Sequence, residues 1–176
     1  IPFFMLAGSL MATGGMSRRL IRLASALVGW ITGGLTHVMI LASAFFAALS
    51  GSAPATCAAI GGMMIPEMEK KGFPPEFSAG VQCVAGTIGP IIPPSIPMVV
   101  YAISAGVSVG EIFAGGFIPG IIFAVCLMIV SGWICKKKGF GMESKTEFDA
   151  HEVWVAFKDS IWALLVPVIV LGGIYS

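Results

Sequence analysis

Residues 89–95 read Gly89-Pro90-Ile91-Ile92-Pro93-Pro94-Ser95, and Pro97 follows two positions later. Apolar runs flank the stretch, Phe77–Ile88 before it and Ile96–Ala105 after it. Proline lacks a backbone donor and its ring obstructs the preceding turn, so the cluster predicts a break inside a membrane-length helix over 77–106. Backbone opened at membrane depth finds no hydrogen-bond partner in lipid. It persists only where protein buries it or where it lines a polar cavity.

The composition around this stretch belongs in lipid. Hydrophobic residues make up 57% of the chain and charged residues 11%, whereas a soluble domain carries about 25% charged residues. The mean hydropathy is +0.96. A net charge of +1, with no basic stripe among aromatics, excludes a nucleic-acid binder. The expected fold class is an all-α integral membrane protein. Residues 1–16 read as the end of a transmembrane helix and 161–176 as the start of another. Both runs are shorter than the about 20 residues a span needs, so the chain is expected to be an internal piece of a larger polytopic protein. Cys57, Cys83, Cys126 and Cys135 lie in apolar stretches without CxxC spacing and are expected to act as buried small hydrophobes. His37 and His151 have no companion ligand at metal-binding spacing.

The basic residues serve as a ruler. Arg18, Arg19 and Arg22, then Lys70 and Lys71, then Lys136–Lys138, then Lys145 and Lys158 form tight groups, each expected on the cytoplasmic side. Between Phe77 and Cys135 the only charge is Glu111. This fits a broken span over 77–106, a far-side turn near Glu111 and a returning span over 112–135. The interval 33–66 is uncharged yet has basic flanks on both sides. Two arms of about 15 residues, rising about 1.5 Å per residue, reach only about 22 Å. The hydrocarbon core is about 30 Å thick, so neither arm crosses it. With the turn sequence Ser50-Gly51-Ser52-Ala53-Pro54-Ala55-Thr56 at its centre, the interval reads as a re-entrant helical hairpin.

Two further segments read as interfacial arms. Over 17–32, Arg18, Arg22, Ser25 and Gly29 share one helical face, and Leu20, Leu23, Ala24, Leu27 and Ile31 share another. A full span carrying three arginines at one end is the competing reading. Over 143–160, Ser144 and Glu147 form a capping-box signal, and Ala150, Val153, Trp154 and Phe157 form an apolar stripe.

A hairpin tip and a helix break, both uncharged, have a joint use. Each frees carbonyl oxygens, and hydroxyls come from Ser50, Ser52, Thr56, Thr87 and Ser95. Oxygens without a fixed carboxylate suit a hard monovalent cation, above all Na⁺. The helix N-termini near Ala55 and Ile96 favour an anion such as a carboxylate. A single break would read more simply as a kink, and small residues alone as close packing. The pair together favours binding.

The run from Ser50 to Gly120 resembles the large membrane subunit of tripartite ATP-independent periplasmic (TRAP) transporters. SGSAPAT, IPEMEKKGF and GTIGPIIPPS carry the likeness, with the GVS and GGFIPG segments beyond. The resemblance implies a secondary transporter built from two inverted repeats, of which this chain matches the first hairpin and first broken helix. It implies an elevator motion, a Na⁺ gradient as driving force and no cofactor beyond that coupling ion. The implied partners are a small membrane subunit, a periplasmic binding protein that delivers an organic acid, and the lipid of a bacterial inner membrane. By motif position, Ser50, Gly51 and Ser52 match the hairpin tip, and Gly89, Pro90 and Ser95 match the break. With Thr87 these are the expected Na⁺-binding residues. Ala53, Pro54, Thr56 and Pro94 are expected to face the substrate. Ala53 stands where many relatives carry glycine.

A Na⁺/carboxylate symporter that works without a binding protein shares the hairpin and the break, and is the alternative. An intramembrane enzyme would need a mid-depth aspartate pair, a Ser–His or Ser–Lys dyad, or HExxH, and the sequence has none of them.

Overall fold

The computed structural model describes residues 14–141 and 149–175. Most of the expected terminal helix over 1–16, and the capping box at Ser144–Glu147, lie outside them. The elements are α1 (Met16–Val28), α2 (Gly34–Ser50), α3 (Ala53–Thr56), a π-helical turn (Cys57–Gly61), α4 (Gly62–Lys70), α5 (Pro75–Gly86), α6 (Ile96–Ala105), α7 (Val109–Lys138) and α8 (Ala150–Tyr175). Among the described residues the fold is all helical.

Helix α2 is the core. It carries no charge and is apolar nearly all round, the pattern of a helix surrounded by protein. Val38, Met39, Ile40, Ala42, Phe46 and Ala47 are buried along it. It contacts α1, α5, α7 and α8. Gly51, at φ 56°, ends it and donates its N–H to the Ala47 carbonyl at 2.8 Å. The chain then turns back through α3, the π turn and α4 as one continuous helical run.

The proline cluster splits the expected 77–106 segment into α5 and α6. The first part of the break keeps short turns, with Gly89 N donating to Gly86 O at 3.1 Å and Ile92 N to Ile88 O at 2.9 Å. Extended backbone at Ser95 (φ −125°, ψ 126°) then starts α6, after a cis Pro93–Pro94 peptide. Helix α7 is longer than the 112–135 expected, and among the described residues it alone is long and apolar enough to cross a membrane. Apart from Phe113, its buried positions are small. Gly116 lies under Met98 and the Ile91 carbonyl, and Gly120 under Ile92. Its outward positions are large, including Ile118, Ile122, Ile129 and Trp133. An apolar face of this extent is one that membrane or partner protein covers.

The arms depart from expectation in one respect. Helix α8 runs unbroken through Ser160 and Ile161, so the boundary expected between an arm over 143–160 and a span from 161 does not interrupt it. No glycine or proline stands between Ala150 and Leu165, and the charges at Lys158 and Asp159 do not stop a helix. Helix α1 packs along it. Arg22 pairs with Glu152 at 2.8 Å and Asp159 at 2.9 Å, and Ser160 donates its hydroxyl to Arg19 O at 3.0 Å. The hydrogen bond that Arg22 donates to Glu152, reinforced by the carboxylate's charge, pushes the guanidinium pKa further up. Leu20, Leu23 and Ala24 are buried on α1 as its periodicity predicts, but Leu27 of the same expected face is exposed and the helix ends at Val28, before Ile31. The cysteines need correction. Cys135 is buried and Cys57 half-buried, but Cys83 and Cys126 point outward. Helices that are apolar on every side carry no signal of which face is inside.

Candidate functional site: the hairpin tip against the helix break

The tip is built from hydroxyls closing on a carbonyl. Thr56 donates its Oγ1 hydrogen to Ser52 O at 2.9 Å and lies 3.2 Å from Ser50 Oγ. Ser52 N donates to Ser50 Oγ at 3.4 Å, and Thr56 N donates to Ser52 O at 3.1 Å. Ser52 is extended (φ −134°, ψ 123°), and Pro54 sits in the first turn of α3, where a missing N–H costs nothing.

The break is held from within. Buried Ser95 donates its hydroxyl to Pro90 O at 2.6 Å and accepts from Met98 N at 3.4 Å, so one side chain spans the opened backbone and caps α6.

Tip and break meet backbone to backbone. A Cβ on Gly51 would collide with the Pro94 carbonyl oxygen. One on Gly89 would lie 2.9 Å from the Ser52 carbonyl carbon and 3.1 Å from Ala53 N. Glycine at both positions is what lets two opened segments touch. Beside the contact lies a cleft of about 250 Å³ lined by Gly51, Ser52, Ala53, Pro54, Pro90, Ile96 and Pro97. A second cavity of about 270 Å³ is lined by residues including Leu49, Ser50, Pro94, Ser95 and Val99. Both linings are uncharged, so backbone dipoles and hydroxyls set their polarity.

The structure therefore brings together Ser50, Gly51, Ser52, Ala53, Pro54, Gly89, Pro90, Pro94 and Ser95. One expected residue stands apart, and another belongs to the tip without lining either cavity. Thr87 is exposed at the end of α5 and donates its hydroxyl to Val84 O at 2.7 Å. Thr56 is fully buried, facing Ser52 O rather than the cleft. Sequence reasoning missed Gln82 and Ser43. Both are buried, and Ser43 Oγ donates to Gln82 Oε1 at 3.3 Å while Gln82 Nε2 donates to Thr56 O at 3.3 Å. The available signal was an amide alone in the uncharged run Phe77–Ile88, since such a group must find partners inside the protein.

The sequence profile described as "Tripartite ATP-independent periplasmic transporter, DctM component" matches residues 1–176. The chain is 48% identical, over all its length, to the isethionate TRAP transporter permease protein DctMQ of Oleidesulfovibrio alaskensis, covering 28% of that protein. It is 47% identical to the C4-dicarboxylate TRAP transporter large permease protein DctM of Pseudomonas aeruginosa, covering 41% of it. The sialic acid TRAP transporter large permease protein SiaM of Vibrio cholerae is 39% identical, again with 41% covered. The chain thus spans less than half the length of these curated relatives, while its own length is matched throughout. Matched from end to end by the family profile and by these permeases, it belongs to the DctM component family of tripartite ATP-independent periplasmic transporters.

Proposed function

We infer that this chain is the first-repeat half of a Na⁺-driven organic-acid permease, in which the tip–break contact forms one Na⁺ site and one wall of the substrate site. The observation that carries this reading is the backbone contact of Gly51 with Pro94 and of Gly89 with Ser52, beside an uncharged cleft. Carbonyls of the tip and break, with the Ser50 and Ser52 hydroxyls, suit a hard monovalent cation. The helical run from Ala53 and helix α6 from Ile96 both begin at the cleft, and their positive ends favour an anionic group.

The relatives' names specify isethionate, C4-dicarboxylate and sialic acid, a sulfonate and carboxylates that are all anions at neutral pH. The substrate class is accordingly an organic acid. It is delivered by a periplasmic binding protein, and a small membrane subunit completes the complex. Helix α2, at 17 residues, rises about 25 Å and is short for a span. It forms the inward arm of a re-entrant hairpin that enters an inner membrane from the cytoplasmic side, where the basic loops lie. Transport proceeds as an elevator, the hairpin and broken helix moving together while α1 and α8 act as bearings.

The test is uptake of a labelled organic acid by the full-length subunit, reconstituted in liposomes with its small subunit and binding protein. An inward Na⁺ gradient should drive uptake only when the binding protein is present. Uptake unchanged by Na⁺ would overturn the reading.

A further inference from the structure

The tip rests on a buried polar chain that begins at Ser43, about two turns of helix below it on α2. Gln82 is 2% exposed, and Ser43 and Thr56 are 0% exposed. The Thr56 carbonyl can only accept, so the Gln82 atom facing it is the Nε2 amine, which leaves Oε1 for the Ser43 hydroxyl. Thr56 in turn hands its own hydroxyl hydrogen to the Ser52 carbonyl at 2.9 Å. The chain therefore runs from α2 through α5 to the tip and ends on the carbonyl that packs against Gly89.

The local backbone is shaped for this. Thr56 immediately precedes the π-helical turn Cys57–Gly61, where the ladder widens from i→i+4 toward i→i+5. The stem of Gln82 lies over that turn, and a Cβ on Gly61 would come within 2.9 Å of its Cγ. Cys57, on the same turn, donates its thiol to the Gln82 backbone carbonyl at 3.7 Å. A buried amide with both ends engaged fixes the relative position of the elements it joins, because any shift leaves a polar atom unpartnered in apolar surroundings.

We propose that Gln82 is a positioning residue for the ion site: through Thr56 it sets where the Ser52 carbonyl stands, and so tunes Na⁺ affinity without touching the ion. This rests on reading the tip–break contact as a Na⁺ site. Glutamate in place of Gln82 keeps the shape and the acceptor but loses the donor while ionised. Once protonated, its O–H donates to Thr56 O again. Leucine removes both ends at similar volume.

The experiment compares wild type, Gln82→Glu and Gln82→Leu in the full-length reconstituted complex, at mildly alkaline and mildly acidic pH. The Na⁺ half-saturation of uptake should rise about three- to tenfold in Gln82→Glu at alkaline pH, the scale of one lost buried hydrogen bond. It should return toward wild type in acid, while Gln82→Leu stays shifted at both pH values. The rate at saturating Na⁺ should change little. Wild-type uptake that depends on Na⁺, with a Gln82→Leu half-saturation equal to wild type, overturns this proposal and leaves the ion site standing. Wild-type uptake indifferent to Na⁺ overturns both.

Discussion

Gly89 lies against the Ser52 carbonyl so closely that a methyl group at position 89 would stand 3.0 Å from its oxygen and 2.9 Å from its carbon. These atoms belong to the backbone and cannot rotate aside as a flexible side chain would. Gly89→Ala must therefore move the tip away from the break, at about 1–3 kcal/mol for such overpacking. We expect the Na⁺ half-saturation of transport to rise about tenfold or more. Wild-type Na⁺ dependence in the alanine variant would mean that the ion is held elsewhere.

Gly51 carries two constraints at once, a φ of 56° and the facing Pro94 carbonyl. Alanine there meets a left-handed backbone cost of about 1–2 kcal/mol together with the collision. Gly51→Ala should lower the melting temperature of the purified full-length protein, and by more than Gly62→Ala, whose site is open and has no positive φ. Equal melting temperatures would contradict the packing described.

Ser95 ties the break together through Pro90 O and caps α6. Ser95→Ala should destabilise by about 1 kcal/mol, up to about 2, typical of a lost N-cap. Thermal unfolding in detergent measures it, and protection of α6 amides in hydrogen exchange should fall in parallel.

Thr87 turns its hydroxyl into its own helix, toward Val84 O. A hydroxyl near a helix end has local carbonyls to bond, and these compete with any distant ligand. Thr87→Val should consequently leave Na⁺ half-saturation within about twofold of wild type, well inside the scale of a lost ligand. A large rise would return Thr87 to the ion site.

Arg22 joins α1 to α8 through Glu152 and Asp159, but all three side chains are nearly half exposed. Salt screens such pairs. Arg22→Ala should thus lower the melting temperature only slightly, and the loss should vanish at high salt. A loss that persists at high salt would show that the arm contact depends on the guanidinium stem rather than its charge.

The two opened segments were legible because their cause is local. Pro90, Pro93 and Pro94 cannot continue a helix, and Ser50-Gly51-Ser52 before Pro54 is turn chemistry wherever it occurs. The amphipathic face of α1 was legible for a similar reason, since Leu20, Leu23 and Ala24 recur at helical spacing. Residues on α5, α7 and α8 gave less. With apolar side chains on every face there was no period to read, so Cys83 and Cys126 could not be oriented, and charges at Lys158 and Asp159 suggested a boundary that the helix ignores.

The sequence alone determined that the chain is helical, apolar and interrupted at two uncharged places, because proline, glycine and charge act on the backbone within a few residues of themselves. Only the tertiary structure decided that Gly51 meets Pro94 and Gly89 meets Ser52, that Thr87 stands apart, and that Gln82 supports the tip from beneath. The contacts of Gly51 with Pro94, Gly89 with Ser52 and Gln82 with Thr56 join residues from 26 to 43 positions apart. They depend on how helices cross and on which way each hydroxyl or amide finds a partner, and no local pattern encodes that.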